Sequence, residues 1–443
     1  MNSINGKFFE EKKEPRKGEK VVAYCSIDDL KRRVLPLREQ AKITDEWLKY
    51  RLENILPQLM EREQIDFWVV VAREYNEDPV VLSLMPAIML SARRRTILVF
   101  HKKENGEVQC LSFGKPDPAL NQFYSQAWDR EKEEQLEALA REIRVRKPGN
   151  IGFNISDHFA LGDGLSKSQY DQIIDALDSD NKKKIVSAEK LAVSWLEKRT
   201  PDELTAYRGI NRIAHDIIGK AFSPEVIHPG VTTLRDLAWW IRQTINDIGL
   251  QAWFQPTIMI QREIGQEEIS GESPILPGDL LHCDVGLHYL GLATDTQQMA
   301  YVLRPGEKKP PQELVRALEN GNRLQDILTA NFVEGKTGNE ILLKSLDEAK
   351  EEGISASIYT HPIGVHGHGA GPTIGLFDQQ SFIPFNGEYS LHNDTCYAIE
   401  LNVKEKIAAW NNKEVMIALE QTAAFTGNRV EYLGGRQKEF HCI

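Results

Sequence analysis

The sequence predicts an α+β protein built from two domains, and three observations carry that expectation. The chain has 443 residues, more than one hydrophobic core fills, since single cores stop growing near ~250–300 residues. Its first part alternates short apolar runs with helical periodicities, the pattern of a small α/β domain. Its second part sets long helices beside strands that read as a mainly antiparallel sheet.

Taken in order, residues 1–40 show no clear periodicity and read as an N-terminal extension. From Thr44 the apolar positions Trp47, Leu48, Leu52, Ile55, Leu56, Leu59 and Met60 recur at helical spacing, with Thr44 or Asp45 able to cap. A strand at 65–71 follows, then a strand pair at 96–101 and 109–113 around a turn at 103–106. A charged helix at 131–144, an apolar run at 150–155 and a helix at 169–177 complete a domain placed at 41–195. Thr200, Pro201 and Glu203 form a helix start, cap and capping box together, and open a second domain at 196–443. That helix runs to about Phe222. Another begins after Pro229-Gly230-Val231-Thr232-Thr233 and ends at Gly249, its Trp239 and Trp240 reading as packing. Strands at 252–261, 280–286 and 297–303 precede helices at 312–330 and 338–352. Neither a repeat nor a low-complexity segment is present.

Composition excludes several classes. A net charge of −11 argues against a nucleic-acid partner, which calls for a basic surface. No apolar run approaches the ~20 residues that span a bilayer, so no membrane partner is expected. The polar N-terminus lacks a hydrophobic signal region, and the five cysteines are scattered without a CxxC spacing. A cytoplasmic location is the expectation, with Cys283 and Cys396 as small buried hydrophobes.

The chemistry centres on 280–298, LLHCDVGLHYLGLATDTQQ, where Asp284 and Asp295 lie eleven positions apart. A strand, a tight turn and a return strand would set the two acids facing each other across one hairpin. Two close carboxylates over an apolar floor resist ionising together, and a divalent cation between them resolves the conflict. Three later segments carry further candidates: 359–376 holds His361, His366 and His368 among five glycines, 395–402 holds Glu400, and 414–423 holds Glu420. Carboxylates with an imidazole suit Mn²⁺, Co²⁺, Fe²⁺ or Zn²⁺, and four carboxylates can bridge two ions about 3.5–4 Å apart.

The order of two Asp eleven positions apart, then Gly-His-Gly-x-Gly, Ile-Glu and Leu-Glu, resembles the pita-bread metallohydrolases, the family of creatinase, methionine aminopeptidase and prolidase, and within it the Xaa-Pro peptidase branch. Asp202-Glu203-Leu204 with Arg208, Pro229 to Thr233, and Pro277-Gly278-Asp279 extend the likeness over nearly the whole chain. The resemblance implies a pita-bread catalytic domain preceded by a smaller creatinase-like α/β domain. It implies two divalent metal ions, Mn²⁺ first among them, held by Asp284, Asp295, His368, Glu400 and Glu420. Glu400 would also be catalytic, carrying the proton of the attacking water to the leaving amine. A homodimer acting on short peptides completes the implied picture.

The departures lie around that cage. A family histidine ahead of the first Asp falls at Gln266 or Glu267. A Val/Phe-His-Asp/Glu motif falls at Phe377-Asp378, an arginine at Ala418, and a Thr-Arg pair at Gln297-Gln298. His361 and His366 are the candidates to take over catalytic roles toward substrate; His282 shares a strand face with Asp284, and His288 belongs to the turn. Gln255, Gln261 and Arg262 are either ladder and surface residues or pocket lining. The main expectation is therefore an Xaa-Pro aminopeptidase or dipeptidase. A metal-dependent hydrolase of a non-peptide amide bond and a non-catalytic binding module of the same fold are the alternatives.

Overall fold

The structure, a computed structural model, describes residues 25–265 and 269–443; the polar N-terminus and the pair Gln266 and Glu267 lie outside them. The chain divides into two compact units. One holds Pro36–Thr200 with Gly369–Gly371; the other holds Pro201–His368, Pro372–Ile443 and the segment that ends at Leu35. Among the described residues no helix is long and apolar enough to cross a membrane.

Helix α1 (Ile27–Arg33) forms where the sequence shows no periodicity. Its signal is local: Ser26 accepts the amide of Asp29, whose carboxylate receives the amide of Ser26, and seven residues are too few to display a face.

In the unit around Pro36–Thr200, the helix expected from Thr44 starts earlier, as α2 (Leu37–Tyr50). It widens into a π turn at Arg51–Ile55 and resumes as α3 (Leu56–Arg62). Pro57 accounts for the widening: it has no amide to donate and its ring crowds the carbonyl four residues back. The amide of Leu56 reaches the carbonyl of Arg51 instead. There follow β1 (Phe67–Arg73), β2 (Arg95–Lys102), β3 (Val108–Ser112), β4 (Ser125–Gln126), α4 (Gln135–Arg146), β5 (Ile151–Phe153), α5 (Lys167–Ala176), α6 (Ser179–Lys182), β6 (Ile185–Ser187) and α7 (Glu189–Glu197). The six strands form one mixed sheet in the order β4-β3-β2-β1-β5-β6. β1 is apolar on both faces because it is central. Phe67, Val69 and Val71 pack with Ala138, Leu139 and Ile143 of α4 and Ile173 of α5.

The other unit opens with α8 (Pro201–Ala221), proline at its first position, and α9 (Leu234–Asp247), capped by Thr233 and Asp236 in a capping box. The strand expected at 252–261 splits into β7 (Gln251–Ala252) and β8 (Thr257–Gln261). Pro256 lies in the gap and cannot donate to a ladder. After β9 (Leu280–Val285) the chain does not turn back at once. It first makes a secondary hairpin of β10 (Leu287–Tyr289) and β11 (Leu292–Ala293), so His288 is on a strand rather than in a turn. Leu290 and Gly291 carry positive φ, +53° and +72°, as a two-residue hairpin loop requires.

Then come β12 (Thr296–Tyr301), α10 (Gln312–Ala330), α11 (Gly338–Glu351), β13 (Ala356–Ile358), β14 (His361–Pro362), β15 (Thr395–Ile407), β16 (Lys413–Thr426), β17 (Arg429–Tyr432) and β18 (His441–Cys442). The large sheet runs β13-β15-β16-β12-β9-β8, with β14 on β15, β17 on β16 and β18 on β12. Leu314, Leu318, Leu324 and Leu328 of α10 pack onto Ile399, Leu401, Ile417 and Leu419. Alternation then sends Glu400 and Glu420, between those apolar neighbours, to the opposite face.

Arg262, Gln261 and Gln255 hold structure. The Arg262 guanidinium grips the buried carboxylate of Asp279 with two hydrogen bonds of 2.7 and 2.8 Å, bracing the entry to β9. Gln261 bonds both backbone groups of Met416, and Gln255 accepts from Arg242. Replacing Arg262 with alanine strands Asp279, 1% exposed, without its cation. Equilibrium denaturation should register a loss of about 3–5 kcal/mol; a loss below about 1 kcal/mol would contradict the bracing role.

Candidate metal centre

One row of directly opposed residues crosses five strands. Glu400 on β15 faces Glu420 on β16, Glu420 faces Gln297 on β12, Gln297 faces Asp284 on β9, and Asp284 faces Thr257 on β8. Opposed residues in a ladder share a sheet face, so three acids and one amide are aligned by register alone. Asp295, the residue before β12, adds the fourth acid. Because the secondary hairpin intervenes, Asp295 does not face Asp284 across the ladder as a simple hairpin would place it. The two carboxyls nevertheless interact, each affecting the titration of the other.

The imidazole at the centre of the acids is His361. Strand β14 pairs with β15 so that His361 faces Ala398, two positions from Glu400 and on its face. Thr360 locks this arrangement: its hydroxyl accepts the amide of Glu400 and donates to the carbonyl of the same residue, at 3.1 and 3.0 Å. The Nε2 atom of His361 lies 3.4 Å from Glu420 Oε1, 3.7 Å from Glu400 Oε2 and 3.8 Å from Asp295 Oδ2. Its Nδ1 points to the carbonyl of Pro362 at 3.0 Å.

His368 sits further out, its side chain 73% exposed and its Nε2 4.0 Å from Asp295 Oδ2. Its ring packs edge-on against His361 and Trp253, with centroids 4.7 and 5.2 Å away. His366 is not among the residues brought together here. It lies near His288, whose pKa is lowered by burial and then by His366.

Burial pushes all four carboxyls up. Asp284 rises to about 6 and Glu400 to about 8, the latter raised also by Asp284. Asp295 and Glu420 go well above the ordinary range through burial and then through one another and their acidic neighbours. The same burial takes His361 down to about 4. Among the described residues the basic side chains in ion-pair reach of these acids are the two imidazoles, His361 and His368.

Asp284 Oδ1, Asp295 Oδ1, His361 Nε2 and both oxygens of Glu420 are buried without a hydrogen-bond partner. Orphaned acceptors converging in this way are costly unless a cation satisfies them. The donor set is rich in oxygen with imidazole, as hard and borderline divalent ions require. Three overlapping sets have the spacing of a metal site: Asp295, His361 and His368; His361, Glu400 and Glu420; Asp284, Asp295 and Glu420. The residues fit such an ion.

Two flanking aromatics carry no sequence motif. Trp253 donates from Nε1 to the carbonyl of Thr294 at 2.8 Å and occupies space that side chains at Gly286 or Gly367 would take. The Tyr359 hydroxyl accepts from Asn402 at 3.0 Å. At the sites of the departures, Phe377 and Asp378 are exposed, Ala418 is buried opposite Asn402, and Gln298 bonds His441 at 2.7 Å.

The sequence model of metallopeptidase family M24 matches residues 206–427. No curated protein matches. Among solved structures, an X-Pro aminopeptidase from Thermotoga maritima superposes with a TM-score of 0.62 at 14% identity, over 87% of this chain and all of the other. An Xaa-Pro dipeptidase from Bacillus anthracis gives 0.58 at 16%, over 92% and 100%. The N-terminal domain of a FACT complex subunit from chickpea (Cicer arietinum) gives 0.54 at 11%, over 94% and 98%.

A sign follows for the metal-free protein. Unfolded carboxyls titrate near 4 and the folded ones higher, so between these values the folded chain holds more protons and loses stability as pH rises. Below about 6.5 the depressed histidines, foremost the four taken down to about 4, His361, His282, His215 and His441, act in the opposite sense. From pH 6.5 to about 8 only the acids remain. Scanning calorimetry should show the melting temperature of the chelated protein falling across that window, and Mn²⁺ should stabilise more at the upper end, since binding displaces protons. A metal-free melting temperature that is flat or rising there would refute the assignment.

Proposed function

The chain belongs to metallopeptidase family M24, and on that premise we propose that it is a metal-dependent peptidase of the Xaa-Pro type, cleaving short peptides. Its fold is the α+β pita-bread domain preceded by a smaller creatinase-like α/β domain. The observation that carries the proposal is the set of orphaned acceptors on Asp284, Asp295, His361 and Glu420. A bound cation reconciles their burial with their charge; without one the acids must keep protons.

Asp284, Asp295, Glu420, Glu400 and His361 would hold two divalent ions, with Mn²⁺ favoured by the oxygen-rich donors. His361 takes the ligand place because three carboxylates surround its Nε2. His368, exposed at the rim beside Trp253, then faces substrate, reversing the roles implied by the glycine-rich motif. The chemistry supplied by bound cations is polarisation of the carbonyl and acidification of a water. Glu400 moves the proton: its Oε1 is held by Gln297 while Oε2 stays open toward the cluster, placed to take a proton and return it to a leaving amine.

A non-peptide amide substrate is the second reading, favoured by Ala418 and by the exposed Phe377 and Asp378 at positions where family peptidases carry arginine and histidine.

Two measurements decide. Metal analysis of His361→Ala should show at least one ion lost per chain, whereas His368→Ala should keep its metal and lose substrate affinity; the reverse pattern would restore His368 as the ligand. Against a panel of Xaa-Pro peptides and simple amides, the Mn²⁺-loaded protein should cleave proline peptides. Glu400→Gln should lower kcat by about 10²–10⁴-fold. Hydrolysis of amides alone would select the second reading, and inertness with no bound metal would indicate a binding module.

A further inference from the structure

Gln297 interrupts the acids of the row, an uncharged amide placed in register between Asp284 and Glu420. It is 4% exposed, and both ends of its amide are engaged. The amide nitrogen donates to Glu400 Oε1, and the amide oxygen meets His282 Nε2 at 2.8 Å. His282 lies two positions before Asp284 on the same strand face and is itself buried.

The direction of these bonds follows from His282. Its Nδ1 is buried with no partner. An unpaired lone pair there costs less than an unpaired N–H, so the proton sits on Nε2 and is donated to Gln297. That orients the amide, with its oxygen toward His282 and its NH₂ toward Glu400. A glutamine held at one end only could flip; this one cannot flip without setting two donors face to face on one side and two acceptors on the other.

The consequence falls on Glu400, whose two oxygens become inequivalent. Oε1 is committed to Gln297, while Oε2, 3.7 Å from His361 Nε2, is the one left for a cation and a proton. We propose that His282 and Gln297 are positioning residues that hold Glu400 in this orientation, so that a single oxygen carries both ligation and proton transfer. This rests on the hydrolase reading above and deepens it. It also assigns a role to Gln297, where the family pattern has a Thr-Arg pair.

The test uses the full-length protein loaded with Co²⁺, whose visible absorption reports ligand geometry without turnover. Gln297→Leu removes both hydrogen bonds, and should keep the metal content, change the Co²⁺ spectrum and lower kcat by about 10–100-fold with KM within about twofold. His282→Leu should reproduce part of both changes. His282→Gln, which can still present a donor to the amide, should restore them toward wild type, a rescue that a merely space-filling histidine would not give. If Gln297→Leu does not fold, the two His282 variants read the same chain. A Co²⁺ spectrum and kcat unchanged in His282→Leu, or equal losses in His282→Leu and His282→Gln, would overturn the proposal while leaving the hydrolase intact. Failure of the wild-type protein to bind Co²⁺ would instead remove the hydrolase reading itself.

Discussion

Four carboxyls within a few ångströms of one another, those of Asp295 and Glu420 buried and those of Asp284 and Glu400 partly so, with imidazoles the basic groups beside them among the described residues, set the problem that the rest of the catalytic unit is arranged around. In low dielectric such groups repel, and each must either keep a proton or share a cation. A chain under no functional demand would replace some of them with apolar residues, a change that commonly costs nothing or stabilises. Keeping all four therefore requires a rigid frame. The frame here is the ladder of β15 on β16, thirteen paired positions long, with α10 packed on its far face.

Register does the positioning. Glu400, Glu420, Gln297 and Asp284 lie in one row because four strands pair there without slippage, and a shift by one residue would send any of them into the apolar layer under α10. Asp295 and His361 enter from the two places where the ladder is interrupted, the secondary hairpin after β9 and the short strand β14. Both interruptions are stiffened locally. The Thr294 hydroxyl and amide bond Leu287, and Thr360 clasps both backbone groups of Glu400.

The surroundings of the acids explain how a familiar cage can coexist with unfamiliar neighbours. An amide and a neutral histidine, Gln297 and His282, occupy space beside Glu400, and aromatic rings, Trp253 and Tyr359, flank the cluster. These groups add hydrogen bonds and shape but no charge. The acids are thus left for a metal to neutralise, while the residues around them differ from those the motif pattern implies.

Much of this was readable in the linear order of residues. The four long helices of the second unit and the apolar strands follow from periodicity, and Asp284, Asp295, Glu400 and Glu420 stand out as carboxyls inside apolar segments, all of them local properties. What a local pattern cannot contain is which strand lies beside which. Alternation tells the face of a side chain, not its neighbour across the sheet. Hence the glycine-rich motif drew attention to His368, whereas pairing of β14 with β15 put His361 among the acids. Nor did the sequence reveal the Pro256 break, the secondary hairpin, or Gln297 as the hinge of a hydrogen-bonded chain from His282 to Glu400. The residue types were determined by the sequence alone. Their partners were decided by tertiary structure, because convergence depends on the pairing of strands distant along the chain.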